Sequence, residues 1–255
     1  MRQRLEPLLL VLCLVGCAST PTSTVDAFAQ RSANNSFEVF DRSFRSPSAL
    51  VLPVVHDRQT SPMACGASAL ASVINYWEGP GTVSSGEIWT QTPPADSARG
   101  YTLAEIMTRA HEHGLLASGV RLTDSDIVRE LENGRPVLVP VRMPSIYVQS
   151  RSVPGTDTPV VGVAAGFFEQ RIGYISEFTG MAMVDHYLLV VGYDRRDFAV
   201  IEPVMGFRII SFQRLQRYRR AFNNAAVVFS GRPGQAPAQA SGAAAAAPAQ
   251  SYVQG

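Results

Sequence analysis

Gln59-Thr-Ser-Pro-Met-Ala-Cys65-Gly-Ala-Ser-Ala-Leu-Ala-Ser-Val-Ile-Asn-Tyr76-Trp77 is the stretch on which the reading of this chain turns. In its second half Leu70, Val73, Ile74 and Trp77 recur at three- and four-residue spacing, which predicts a helix with one apolar face. Pro62 and the small residues after it suit a loop leading into that helix, so Cys65 falls at or near the first turn. Unpaired backbone N–H groups and the positive end of the helix dipole there favour a thiolate over a thiol. Gln59, earlier in the same stretch, carries an uncharged NH2 donor. A loop that folds back can set that amide beside the Cys65 backbone N–H. Two donors converging on one point stabilise the oxyanion that forms when a thiolate attacks a carbonyl.

Such a nucleophile needs a base, and His186 is the candidate. It stands in Met183-Val-Asp-His186-Tyr-Leu-Leu-Val-Val-Gly-Tyr-Asp194, where the apolar run Tyr187 to Val191 predicts a buried strand with the histidine at its beginning. Arg195-Arg196-Asp197 reads as a turn and Phe198-Ala-Val-Ile201 as the returning strand, ending at Glu202-Pro203. A hairpin of that length brings Glu202 to the same end as His186. A carboxylate there can hold the imidazole in one tautomer and orientation, as the third member of a triad does. Asp185 should point to the opposite face of the strand, and Asp194 lies at the far end of the hairpin.

Taken together, Gln-x5-Cys-Gly-Ala-Ser-Ala-Leu, His-Tyr-Leu-Leu-Val-Val-Gly-Tyr-Asp and Val-Ile-Glu-Pro-Val-Met-Gly resemble a papain-like cysteine peptidase. The chain is similar, more narrowly, to the C39 family of bacteriocin-processing peptidases and their stand-alone C39-like relatives. The similarity runs over roughly residues 50 to 230 and includes Gly100-Tyr-Thr-Leu and His113-Gly-Leu-Leu in the family's order. The resemblance implies Cys65 as nucleophile, His186 as base and Gln59 as oxyanion donor. It also implies an α+β fold with N-terminal helices packed on an antiparallel sheet. The family usually has Asp before the Pro, and here that residue is Glu202.

The ends of the chain read differently. Residues 1–16 resemble a signal peptide: Arg2 and Arg4 open it, Leu8 to Val15 form a short apolar core, and Leu14-Val15-Gly16-Cys17 matches a bacterial lipobox. The expectation is a cysteine acylated at Cys17, a tether over 17–44, and attachment to the bacterial cell envelope, facing the periplasm from the outer membrane in a two-membrane host. Cys13 then leaves with the signal, and Cys65 is the one free thiol of the mature chain. A lone cysteine is otherwise a small buried hydrophobe. In an oxidising compartment its unpaired state raises the functional reading. Residues 231–255, rich in Ala, Pro, Gln and Gly, read as a disordered tail.

Between these ends, 45–230 is expected to form one domain. Strands are predicted over Ala49–Val55, Pro136–Arg142, Arg208–Phe212 and Ala225–Phe229. Helices are predicted near Ser85–Trp89, from Thr102 to Gly114 behind a capping box, over Thr123–Asn133 and over Gln213–Phe222. Residues 143–183 fit no regular pattern and are expected to be an insertion beside the cleft, either functional or ornamental. The formal net charge is +1, nearly all of it in the signal, with no basic block to suggest nucleic acid. His111 and His113 are too close in sequence to share a helix face, and His56 reads as structural or solvated. No motif implies a cofactor or a metal. The expected partners are a peptide or protein substrate, the membrane through the lipid, and export or envelope proteins. Three readings stay open: an envelope cysteine peptidase, another thiol acyl-transfer enzyme such as an amidase or transpeptidase, and an inactive C39-like peptide-binding module.

Overall fold

Helix α1 (Cys65–Glu78) is buried on every side from Gly66 to Trp77, and the rest of the chain is arranged around it. The computed structural model describes residues 50–59, 61–145, 148 and 175–238. The signal peptide, Cys17, the tether and most of the 143–183 insertion lie outside the described residues, as do residues 239–255. The expected apolar face of α1 (Leu70, Val73, Ile74, Trp77) is buried, and so is the opposite side. Small residues there, Gly66, Ala67, Ala69 and Ala71, let neighbours approach on all faces. Its buried polar side chains are bonded. Ser72 Oγ donates to Ser68 O at 3.0 Å and accepts from Asp57 N at 2.9 Å. Ser68 Oγ donates to the Asp57 carbonyl. Asn75 exchanges both amide bonds with the Val83 backbone. Each of Leu70, Val73 and Ile74 contributes about 1.5–3 kcal/mol by leaving water completely.

Three shorter helices follow α1 in the chain: α2 (Ser85–Gln91), α3 (Leu103–Glu112) and α4 (Asp124–Glu132). All three open with a complete capping box, Ser84 with Glu87, Thr102 with Glu105 and Thr123 with Asp126. The sequence reading places these starts to within a residue, the one at Thr102 by its capping box, a local signal that needs no tertiary partner. Gly114 and Gly134 follow α3 and α4 with φ of 77° and 72°, the left-handed backbone that ends a helix.

The strands are β1 (Leu50–Val51), β2 (Leu116–Arg121), β3 (Val137–Pro144), β4 (Met183–Asp194), β5 (Asp197–Glu202), β6 (Gly206–Ser211) and β7 (Ala225–Ser230). They form one antiparallel sheet in the order β2-β7-β3-β4-β5-β6, with β1 also on β4. Helix α5 (Phe212–Arg219) and a 3-10 turn (Arg220–Phe222) join β6 to β7. The architecture is therefore α+β, helices against an antiparallel sheet, as the resemblance implied.

Four local readings differ from it. Of the strand expected over 49–55 the described residues keep Leu50–Val51, because after Leu52 N bonds to Val191 O at 2.7 Å the next donor on that side, Val54 N, turns back to Leu52 O at 2.8 Å instead of continuing the ladder. Strand β4 is longer than its apolar run, so His186 stands inside the strand rather than at its beginning. Strand β2 was not anticipated: it is an edge strand with no clean burial alternation. Finally, residues 231–238 are not all tail. Gln235 Nε2 donates to Trp77 O at 3.2 Å and to Glu78 Oε1 at 3.1 Å, fastening the chain to the end of α1.

Candidate active site

Strand β4 presents alternate residues to opposite sides, and that alternation sorts its two ionisable neighbours. His186 faces inward and is 8% exposed. Asp185 faces outward, where it takes a two-pronged bond from Arg142 (Nε–Oδ1 2.7 Å, Nη2–Oδ2 3.0 Å) on the neighbouring strand. The carboxylate that reaches His186 is Glu202, at the end of β5: Nε2 and Oε1 are 2.6 Å apart. Register explains the meeting. Leu189 pairs with Ile201, so the end of β5 lies alongside the part of β4 that holds the histidine.

Glu202 is completely buried. An uncompensated carboxylate there would be costly, and the turn after it supplies the compensation. Val204 N lies 3.1 Å from both carboxylate oxygens, and Met205 N donates to Oε2. Burial would raise the Glu202 carboxyl, but His186 and these two N–H groups together hold it below its ordinary value. The same balance works in reverse on His186. Burial pushes the imidazolium down, yet the charge and hydrogen bond of Cys65, then those of Glu202, outweigh it and raise His186 to about 10. With Nε2 given to Glu202, Nδ1 is the nitrogen left for the sulfur.

Cys65 is the first residue of α1 and is partly buried. In contrast to α2, α3 and α4, α1 has Ala64 at its N-cap, no side-chain capping bond and no acidic residue in its first turn. Its leading N–H groups are thus left without the side-chain acceptor the other helices supply. The floor beneath this turn is held by Gly100-Tyr101. Gly100 adopts φ 76°, and a Cβ there would come within 2.6 Å of Met63 O. Tyr187, beside His186 on β4, donates its hydroxyl to Tyr101 O at 2.9 Å. Burial raises the Tyr187 phenol above its ordinary value and the nearby Cys65 charge adds to this, so it stays protonated.

Gln59 occupies the loop that leads to Cys65, with its side chain turned into that loop. Its amide nitrogen donates to Ser61 O at 2.6 Å and to Pro62 O at 2.8 Å. Serving an oxyanion requires giving up one of these, a cost of about 0.5–1.5 kcal/mol. The backbone of the same loop is tied across the site: Gln59 N donates to Pro203 O at 2.9 Å, and His56 Nε2 lies 2.8 Å from that same oxygen. The structure thus joins Cys65, His186 and Glu202 and sets Gln59 in the adjoining loop. His56, which the sequence reads as structural or solvated, is structural, whereas Tyr187 and the backbone donors of 204–205 carry no role in the sequence reading. Only the Glu202-Pro-Val-Met-Gly206 turn could have hinted at the last of these, and a backbone donor has no residue signature. Among the described residues, no group of three or more His, Cys, Asp or Glu side chains is placed to hold a metal ion.

The model of the Peptidase_C39 like family matches residues 51–223 of the chain. No curated protein matches it. Among solved structures, one described as a C39-like peptidase from Bacillus anthracis aligns with 13% identity and a TM-score of 0.47, covering 72% of this chain and 98% of the other. The peptidase domain of Streptococcus ComA, a bifunctional ABC transporter of a quorum-sensing pathway, aligns with 15% identity and a TM-score of 0.46, covering 69% and 98%. A double glycine motif protease from an AMS/PCAT transporter, in complex with the leader peptide, aligns with 16% identity and a TM-score of 0.43, covering 70% and 92%.

Proposed function

Because this chain belongs to the Peptidase_C39 like family, we propose that it is a cysteine peptidase that cleaves a peptide bond with Cys65, His186 and Glu202. The observation that carries the reading is His186, buried and bonded on one side to Glu202 and on the other to Cys65. In this reading the Cys65 thiolate and the His186 imidazolium form a pair, with Glu202 holding the ring's orientation through Nε2. The sulfur attacks the scissile carbonyl, and the carbonyl electron pair moves onto oxygen. The uncapped N–H groups at the start of α1, joined by the Gln59 amide once it leaves Ser61 O or Pro62 O, stabilise that oxyanion. As the tetrahedral intermediate collapses, Nδ1–H passes its proton to the departing amine and a thioester remains on Cys65. His186, now neutral, takes a proton from the water that attacks the thioester and is thereby imidazolium again; the second tetrahedral intermediate collapses, the Cys65 thiolate leaves and the acid is released.

Labelling with an active-site thiol electrophile tests this. The wild type is expected to be labelled at Cys65 and to hydrolyse a generic peptide library. Cys65→Ala should abolish both, and His186→Ala should slow both by at least about a hundredfold. Equal labelling of His186→Ala and wild type would remove the histidine from the mechanism.

The substrate is proposed to be a peptide or protein at the bacterial cell envelope, with the mature chain attached by acyl groups on Cys17. What supports this is the Leu14-Val15-Gly16-Cys17 box after a short apolar core. Among the described residues no helix is long and apolar enough to cross a membrane. Mass spectrometry of the N-terminal peptide after expression in a bacterial host should find a diacylated Cys17; an unmodified Cys17 sinks the attachment.

A further inference from the structure

We infer that His56 is a positioning residue: through the carbonyl of Pro203 it latches the loop carrying Gln59 to the turn carrying Glu202, and so sets where the Gln59 amide stands relative to Cys65. This rests on the peptidase reading above.

The geometry is a shared acceptor. Pro203 O lies 2.8 Å from His56 Nε2 and 2.9 Å from Gln59 N, so one oxygen receives two donors from the same short segment. Both donors lie on the loop between β1 and α1, and the acceptor lies one residue beyond Glu202. The other side of that turn is spent on the Glu202 carboxylate, through the N–H groups of Val204 and Met205. The turn therefore faces two ways: its N–H groups hold the carboxylate that orients His186, and its carbonyl holds the loop of the proposed oxyanion donor. Between the two loop donors, Asp57 fastens the segment to the helices. Its N–H and carbonyl bond to Ser72 and Ser68 on α1, and its Oδ1 accepts from Ser85 N at 2.9 Å. Ser85 Oγ also donates to Arg58 O at 2.9 Å. Segment 56–59 is consequently held at each residue, and His56 and Gln59 are the two of these that reach across to Pro203 in the Glu202 turn.

The chemistry of the side chain suits the task. To donate to a carbonyl, Nε2 must carry a proton, which either the Nε2–H tautomer or the cation provides. Burial, more than the bond to Pro203 or the nearby charge of Glu202, keeps His56 below its ordinary value, so the neutral Nε2–H form is the one that serves at neutral pH. A glutamine can place an amide N–H where Nε2 stands. An asparagine, one methylene shorter, and a phenylalanine, with no donor, cannot. Losing the latch leaves Gln59 N to hold Pro203 O alone, and the loop gains freedom where small misplacements of a positioned group are costly.

The test compares the full-length wild type with His56→Phe and His56→Gln in three measurements: peptide hydrolysis, iodoacetamide alkylation of Cys65, and hydrogen exchange of the Gln59 amide. Alkylation forms no oxyanion, so it reads the Cys65–His186 pair without the oxyanion donor. His56→Phe should lower kcat about tenfold with KM and alkylation rate within about twofold, and should speed Gln59 amide exchange by at least about tenfold. His56→Gln should restore all of these to within about threefold of wild type. If His56→Phe does not fold, His56→Asn carries the same comparison. Unchanged kcat and exchange overturn the inference, and so does a parallel fall of kcat and alkylation, which would route the effect through Glu202 and His186 instead. A wild type inactive on every peptide sinks the peptidase reading on its own account, and Gln59 exchange in the variants then still decides whether His56 holds the loop.

Discussion

Replacing Glu202 by Gln removes one charge and changes no volume, which makes it the sharpest probe of the site. The carboxylate now accepts from His186 Nε2 at 2.6 Å, from Val204 N at 3.1 Å and from Met205 N. A glutamine has one acceptor oxygen and one NH2 group, so it cannot satisfy all three donors. If its oxygen faces Val204 and Met205, its NH2 faces His186, and the imidazole must turn Nε2 into an acceptor. The proton then sits on Nδ1, toward Cys65, where a neutral ring can no longer take up the thiol proton. If instead the oxygen faces His186, the NH2 meets the two backbone N–H groups and a buried donor is left unpaired. The charge-assisted bond lost is worth about 1.5–3 kcal/mol, or about 10- to 150-fold, and the unfavourable tautomer adds to it. The expected fall in kcat/KM is about 10²–10³-fold, with iodoacetamide alkylation at neutral pH falling alongside, since both need the ion pair. Glu202→Asp should lose less, because the carboxylate persists. Asp185→Asn, which disturbs only the exposed pair with Arg142, should stay within about twofold. A folded Glu202→Gln protein with wild-type kcat/KM would refute the reasoning, and a large loss in Asp185→Asn would show which carboxylate had been overlooked.

Stability should depend on pH from both sides. Glu202 is held below 4.5, so it stabilises the fold above that pH and the contribution is lost as pH falls through the folded value. His186 is raised from 6.5 to about 10, so its contribution is complete below 6.5 and is lost as pH rises toward 10. Thermal unfolding followed by circular dichroism should therefore show a Tm maximum between these limits; Glu202→Gln should flatten the acid limb, and an unaltered limb would contradict the assignment. Gly100→Ala should cost about 1–3 kcal/mol, because it combines a left-handed φ with a Cβ 2.6 Å from Met63 O, and denaturant titration reads it directly. Tyr187→Phe, which removes only the hydroxyl bond to Tyr101 O, should cost about 0.5–1.5 kcal/mol on the same titration.

How far the sequence could be read depended on whether the deciding physics was local. The start of α3 was legible as a capping box because Thr102 finds its partner three residues on; α2 and α4 use the same device at Ser84 and Thr123, which the sequence reading placed by helix start alone. The start of α1 was legible for the opposite reason: Pro62 and the small residues before Cys65 suit a loop rather than a cap. That Glu202 comes to the same end as His186 follows from the length of the hairpin, but its face does not: the β-bulge between Val190 and Gly192 shifts the register by one residue, so that Leu189 meets Ile201 and Glu202 falls on the side of His186. Strand β2 was missed because an edge strand with neither face fully covered leaves no period to read. The orientation of the Gln59 amide was also out of reach, since its acceptors are backbone carbonyls that any residues at 61 and 62 would offer. His56 reads from the sequence as structural or solvated; what decides for the first is an oxygen 147 positions further along the chain.

That separation has a consequence in time. Cys65 belongs to an early helix, whereas His186 lies on β4 and Glu202 on β5, and the bonds that close the site span 147 residues in one case and 86 in another. Contacts of such long sequence separation form late, after loop closure has been paid in entropy. A nascent or truncated chain that ends before β5 carries the cysteine without its orienting carboxylate. The proposed activity should therefore appear only when the whole domain has been made and folded, so that a partial chain would carry the thiol without the means to use it.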